Sequence, residues 1–322
     1  MLYLIIFTIL FITELIYFRI ANQFNIIDKP NERSSHTSIT LRGGGIIFYF
    51  GALIYFILSG FEYPYFFLGL TLMTAVSFAD DVMTLSNKIR LLIHLISVML
   101  MAFELHIFDM PWYYLLIIFI VVIGVINAYN FMDGINGITV SYSLAVCGLL
   151  IMMNNQVDFI DNDLLIYTML ALLVFAYFNF RTKAKCFAGD VGSVAIAFIL
   201  LFALAALILK TQNLIYILFL SVYGIDTIWT IIRRLSKREN IFQAHRSHLY
   251  QYLGNEAGVN KLLVSFTYGI LQFIIGLLVI QMADKSLNTQ LIFAFGLIFA
   301  LSVFYLISKE YIVKKYIRNI IK

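Results

Sequence analysis

The chain has 322 residues, 62% of them apolar and only 12% charged, with a mean hydropathy of +0.92 and a net charge of +4. Such a composition excludes a soluble globular domain, and the small positive charge does not argue for nucleic acid, because its meaning depends on where it falls relative to a bilayer. The two cysteines, Cys147 and Cys186, have neither metal spacing nor a disulfide framework and read as free thiols.

Apolar runs of about 15 to 21 residues predict membrane spans near 2–20, 44–59, 65–79, 91–105, 113–129, 138–153, 164–180, 191–209, 213–231, 262–282 and 289–307. These eleven segments describe an all-α polytopic membrane protein, one integral domain over 1–322 without an internal repeat. The first span lacks a small-residue cleavage site after its apolar core and reads as a retained helix rather than a signal peptide. An odd number of spans puts the termini on opposite sides. Of the 22 Lys and Arg residues, 20 fall in one set of connecting segments, and only Lys210 and Lys285 fall in the other. The positive-inside rule assigns the rich set, and the C-terminus with it, to the cytoplasm and the N-terminus to the outside.

The unusual polar clusters share that cytoplasmic side. In "DKPNERSSHTSITLRGGG" (28–45), Arg42 can fork onto a phosphate while Gly43 to Gly45 let backbone approach an anion; the plainer reading is a hinge. In "FADD" (78–81), the adjacent carboxylates of Asp80 and Asp81 repel each other unless a cation or proton sits near, and a divalent metal is the natural partner. Two solvated helix-end charges would look the same. In "NAYNFMDGINGI" (127–138), Asn127, Asn130, Asp133 and Asn136 recur every third residue, which on an ideal helix drifts about 60° per step, so they cannot share one face. Gly134 and Gly137 break the helix, and the chain unwinds at about Asp133 into a polar loop that is tolerated at membrane depth only where it lines a cavity.

"GDVGS" opens the eighth span, putting Asp190 and Ser193 at a helix N-terminus, where a phosphate, or a carboxylate holding a metal, is favoured; a simple N-cap is the alternative. In "AHRSHLYQ", His245 and His248 flank Arg246 with no third nitrogen ligand, so contacts to a diphosphate are favoured over zinc. Together these basic groups, carboxylates and helix N-termini describe a magnesium–diphosphate site. Asp226 lies seven residues before Arg233, about 10 Å along a helix, and can face the cytoplasmic cavity. Glu14 has no assigned role beyond pairing with a buried polar group, and His94 and His106 read as structural.

The five motifs, in this order and on this side, resemble the polyprenyl-phosphate N-acetylhexosamine-1-phosphate transferases (glycosyltransferase family 4 type) over nearly the whole chain. The resemblance implies catalytic Asp80 and Asp81, a metal ligand in Asp190, a nucleotide-sugar site with Asn130 and Asp133, and diphosphate contacts from His245 and His248. The residue reading adds Asn127 and Asn136 to the nucleotide-sugar set, and Arg42, Ser193 and Arg246 to the phosphate set. The implied cofactor is magnesium (Mg2+), with manganese (Mn2+) as a substitute. The implied substrates are a UDP-N-acetylhexosamine and undecaprenyl phosphate in the lipid bilayer of a bacterial inner membrane, with no nucleic acid partner and a homodimer as an open question.

Three departures narrow the branch. No third carboxylate follows "FADD", where Thr84 stands; Asn136 replaces an Asp common in relatives; and "HRSHLYQ" differs from the consecutive-histidine form of the peptidoglycan translocase. The resemblance is therefore closer to the O-antigen or capsule-initiating branch, whose sugar is N-acetylglucosamine or a 6-deoxy sugar such as N-acetylquinovosamine or N-acetylfucosamine; the histidine motif leans to the 6-deoxy side. The rivals are a phospho-N-acetylmuramoyl-pentapeptide translocase and a secondary transporter. The transporter predicts repeated halves and a polar site near the midplane, whereas these clusters lie at the inner edge.

Overall fold

In a computed structural model, the described residues are 1–30, 35, 38–83, 85–240 and 245–318. Part of the 28–45 motif and Thr84 lie outside them. Each of the eleven apolar segments falls on a helix: α1 (Leu2–Gln23), α2 (Ile47–Leu58), α3 (Pro64–Val82), α4 (Asn87–Glu104), α5 (Trp112–Met132), α6 (Ile138–Val157), α7 (Asn162–Asn179), α8 (Gly189–Thr211), α9 (Ser221–Ser236), α11 (Lys261–Ala283) and α12 (Leu287–Ile312). The short α10 (Leu249–Gln251) opens the turn before α11. Among the described residues, nine helices are long and apolar enough to cross a membrane. The protein is an all-α polytopic membrane protein.

Helix boundaries follow local chemistry. Pro64 occupies the first turn of α3, where a missing N–H costs nothing. Ser86, Asn260 and Ser286 cap α4, α11 and α12 by accepting backbone N–H groups that have no intrahelical partner. α5 ends at Met132, and α6 starts after Gly137, whose φ of 84° is left-handed and open to glycine without strain. The break expected at Asp133 is where the chain unwinds.

α8 is the central helix, with 83% of its apolar window buried, against 6% for α12. It packs on α2, α3, α5 and α6. Its start is held by a small polar lattice. The hairpin β1 (Ile27–Asp28) and β2 (Thr40–Leu41) pairs antiparallel, and Leu41 bridges in parallel to Cys186. Phe187 N donates to Leu41 O at 2.8 Å, and Gly44 N donates to Phe187 O at 2.9 Å. A Cβ on Gly45 would lie 2.4 Å from the Gly192 Cα. The glycines of "RGGG" thus allow α2 to meet α8, as small residues do between membrane helices, and the close approach expected for an anion is made by protein backbone. Glu14 is buried here, and its partner is the Cys186 thiol, 3.6 Å away.

Candidate active site

β2 and the segment 186–188 lie side by side, so Arg42, one residue beyond β2, arrives beside the first turn of α8. Its Nε is 2.7 Å from Asp81 Oδ1 and its Nη2 is 3.4 Å from Asp190 Oδ1. Burial works against the Arg42 charge, but Asp81, Asp190 and Asp28 outweigh it and raise its pKa above the ordinary value. From the other side, Arg90 on α4 reaches Asp80 Oδ2 at 2.6 Å and Asp190 Oδ2 at 3.2 Å. Asp190 therefore sits between two guanidiniums.

Asp81 is fully enclosed. Its carboxylate accepts the backbone N–H groups of Asp190 (3.0 Å) and Val191 (2.9 Å), capping α8 in place of the expected phosphate. Asp80 accepts the Leu85 N–H at 2.9 Å. Neither borders the two cavities described below: Asp81 is engaged by Arg42 and the start of α8, and Asp80 by Arg90, whose guanidiniums do border them. Ser193 departs from the phosphate contact expected of it: it is buried, and its hydroxyl donates to Gly189 O and Asp190 O within its own helix.

Two adjoining cavities meet at this cluster. The smaller, about 230 Å³, is bordered by Asp28, Ser35, Arg42, Asn136 and Asn179. The larger, about 510 Å³, is bordered by Asn127, Arg90, His94, His245 and His248, with Leu91, Ile123 and Phe131 as apolar walls. Asn130, Asp133, Gly134, Asp190 and Gln251 border both. The structure thus brings together Arg42, Asn127, Asn130, Asp133, Asn136, Asp190, His245 and His248. Arg246 is bound instead to Glu256 at 2.6 Å and borders neither cavity.

Within this set, Asp133 accepts the Thr139 hydroxyl at 2.6 Å, while enclosure by protein pushes its carboxyl up to about 7. Burial, then the neighbouring His248, Arg234 and Lys309, lowers His245 to about 4, so at neutral pH its ring is uncharged. Asn136 donates to Arg181 O at 2.8 Å, tying the loop after α5 to the end of α7.

The donors around Asp190 are hard oxygens, and carboxylates outnumber guanidiniums: Asp80, Asp81 and Asp190 share Arg42 and Arg90, and Asp133 borders the same cavities. Among the described residues no three His, Cys, Asp or Glu side chains form a preformed metal cage. Oxygen donors of this kind suit magnesium, which keeps its waters and shares substrate phosphates while taking one or two carboxylates from the protein. Asp190, with its side chain 18% exposed, is the carboxylate best placed to supply one.

A family model described as glycosyl transferase family 4 matches residues 63–210, which run from the start of α3 to the end of α8 and include Asp80, Asp81, the 127–136 segment and Asp190. A probable undecaprenyl-phosphate N-acetylglucosaminyl 1-phosphate transferase of Bacillus subtilis (strain 168) is 26% identical over 269 residues, covering 76% of this chain and 74% of its own. The undecaprenyl-phosphate alpha-N-acetylglucosaminyl 1-phosphate transferase of Escherichia coli (strain K12) is 26% identical over 76% of this chain and 74% of its own. Over these stretches the chain is similar to the undecaprenyl-phosphate hexosamine-1-phosphate transferases. It is an enzyme, a sugar-1-phosphate transferase. A phospho-N-acetylmuramoyl-pentapeptide-transferase of Shouchella clausii (strain KSM-K16) is 31% identical over a shorter stretch, 46% of each chain.

Two groups of this transferase's site escaped sequence reasoning. Arg90 and His94 lie four residues apart, on one face of α4, and both border the larger cavity. That i, i+4 pairing of a cation with an imidazole was the available signal. Gln251 stands three residues after His248 and its side chain accepts the His248 backbone N–H at 3.1 Å, a spacing readable in "HLYQ".

Proposed function

We propose that this transferase moves N-acetylhexosamine 1-phosphate from a UDP-sugar to undecaprenyl phosphate at the cytoplasmic face of a bacterial inner membrane, releasing UMP. Its eleven segments would all span the bilayer as one domain, with the N-terminus outside. The observation that carries the reading is the pair of cavities joined at Asp133 and Asp190. Two substrates can enter separately and meet at one acidic cluster.

The smaller, polar cavity suits the nucleotide sugar, with Asn130, Asp133 and Asn136 as its contacts. The larger suits the lipid phosphate, its apolar walls facing the chain and Arg90, His245 and His248 facing the phosphate. An oxygen of the lipid phosphate attacks the sugar-bearing phosphorus; the bond between the two donor phosphates breaks, and its electron pair leaves with UMP. The attacking phosphate has a second pKa near about 6, as phosphomonoesters do, so it arrives largely ionised and the barrier lies in joining two anions. Arg42 and Arg90 lower that barrier by offsetting the charge. Asp81 keeps Arg42 and the start of α8 in place, so direct attack is favoured over a covalent intermediate on that buried carboxylate. Magnesium, held by Asp190 with Asp133 as neighbour, would screen the phosphates and stabilise the leaving group.

N-acetylglucosamine is the sugar supported by the names of the relatives. The test is a panel of UDP-N-acetylglucosamine, UDP-N-acetylgalactosamine, UDP-N-acetylquinovosamine, UDP-N-acetylfucosamine and UDP-N-acetylmuramoyl-pentapeptide, each with purified protein, undecaprenyl phosphate and magnesium. UMP release with an N-acetylhexosamine donor, abolished by excess EDTA, is expected. Preferred turnover of the pentapeptide donor would move the chain to the translocase reading, and turnover of none would remove the reading altogether.

A further inference from the structure

We infer that Asp226 is a positioning residue, which holds His248 so that its Nε2 faces the larger cavity and meets a phosphate oxygen there. The phosphate belongs to the function proposed above; the orientation of the ring rests on geometry alone. Asp226 lies on α9 and is 2% exposed. Its Oδ1 is 3.2 Å from His248 Nδ1 and also accepts the Leu249 N–H at 3.0 Å and the Thr230 hydroxyl at 3.3 Å. Its Oδ2 accepts the Tyr268 hydroxyl at 2.8 Å and the Tyr250 N–H at 3.4 Å. A carboxylate with this many donors is a fixed acceptor, and its negative charge is met by hydrogen bonds on both oxygens. It is not a free acid in search of a ligand.

An ionised carboxylate can only accept, so His248 Nδ1 carries the hydrogen of the shared bond. The ring cannot turn away. His248 N donates to Gln251 Oε1 at 3.1 Å, and the imidazole is stacked between His245, with centroids 5.0 Å apart, and Tyr250, at 5.8 Å. α12 closes the loop from behind: Lys309 Nζ donates to Ser247 O at 2.6 Å and to Thr230 Oγ1 at 3.2 Å.

What remains is Nε2. It is buried, has no hydrogen-bond partner among the described residues, and belongs to a residue that borders the larger cavity. A buried polar atom without a partner is unfavourable unless a ligand or water completes it. With Nδ1 occupied by Asp226, a phosphate oxygen at Nε2 selects the imidazolium, which donates to it. The arrangement separates two jobs: Asp226 sets the ring, and His248 touches the substrate.

The test has two arms. In the first, kcat and KM for UMP release are measured for Asp226→Asn, His248→Gln and the double variant. Carboxylates that orient functional histidines typically carry about 10- to 100-fold, and a loss of that size in kcat is expected for Asp226→Asn. Because Asp226 acts through His248, the double variant should be no slower than His248→Gln. Losses that multiply would overturn the inference. The second arm does not need turnover. The chain has five histidines, few enough for 15N-histidine spectra of the detergent-solubilised protein, with the His248 signals identified by their loss in His248→Gln. A hydrogen on Nδ1 is expected in the wild type, moving to Nε2 in Asp226→Asn. A wild-type ring with its hydrogen on Nε2 alone would overturn the inference, whether or not Asp226→Asn accumulates. Absence of UMP release from the wild type with every donor would instead count against the function proposed above, and leave the spectra to decide the orientation.

Discussion

The molecule carries an acidic cluster at each end of its helices, and the two are built differently. On the side that faces the cavities, at the end of α3 and the start of α8, Asp80, Asp81 and Asp190 are bound by Arg42 and Arg90. At the opposite ends, Glu62, Asp161 and Asp163 are bound by phenols. Tyr55 donates to Glu62 at 2.9 Å and to Asp161 at 3.2 Å, and Tyr3 and Tyr167 donate to Asp163 at 2.9 and 3.4 Å. A phenol satisfies a carboxylate locally and leaves its charge in place. A guanidinium neutralises it, yet can share its fork with an incoming phosphate. Clustered carboxylates alone therefore do not mark a site; arginines and an adjoining cavity do.

The largest test of that contrast is Asp190→Asn. Asp190 borders both cavities and lies between both arginines, so the variant removes the charge that pairs with them and the proposed metal contact. UMP release is expected to fall by about 10³-fold or more, with the thermal midpoint near that of the wild type. Retained turnover would show that the inner cluster is as structural as the outer one.

Asp81→Asn should separate position from contact. It leaves the substrates untouched but weakens the cap on α8 and frees Arg42. The expected result is a fall of about 10²-fold in kcat, in keeping with a supporting ligand, together with a stability loss of about 1–2 kcal/mol from the damaged cap. Asp80→Asn, which caps no helix as long as α8, should lose activity without the same loss of stability. Matching stability losses in the two would contradict the division of roles, and denaturation curves read alongside UMP release decide it.

A smaller effect is expected at Arg90. Arg90→Lys keeps the charge but not the fork that bridges Asp80 and Asp190, so it should lose about 10-fold in kcat/KM for the lipid, with UDP-sugar KM little changed. An equal rise in both KM values would put Arg90 at the junction of the cavities instead of in the lipid one.

Much of this was readable in the sequence because polar residues stand out inside apolar runs. The loop at Asp133, the start of α8 at Gly189 and the pairing of Glu14 with a buried group follow from helix breakers and from the unfavourable burial of charge. What was not readable depends on contacts between distant segments. Arg246 finds Glu256 and is drawn away from the cavity, the Ser193 hydroxyl turns back on its helix, and Lys309 reaches Ser247 across 62 positions of sequence. Arg90 and His94 were hidden for another reason: a charged residue at the edge of a membrane helix is ordinary, and only the cavity beside it makes it notable.

The smallest effect is expected at the far cluster, and it is the control on the whole contrast. Asp163→Asn removes a charge from the Tyr3 and Tyr167 hydroxyls while leaving an amide oxygen that still accepts. It lies at the start of α7, whose other end supplies Asn179 to the smaller cavity, so any change must travel the length of that helix. The Asp161 cap on α7 stays in place, because it is Asp161 Oδ1 that accepts the backbone N–H of residue 163. Each carboxylate oxygen accepts one phenol, so the amide loses one of these bonds and weakens the other, at about 1–3 kcal/mol of stability, and kcat/KM for UMP release should stay within about twofold of wild type, a span too small to reflect a lost transition-state contact. A loss of about 10-fold or more at unchanged stability would mean that the phenol-bound cluster takes part in turnover, and that the distinction between the two ends is one of distance and not of role.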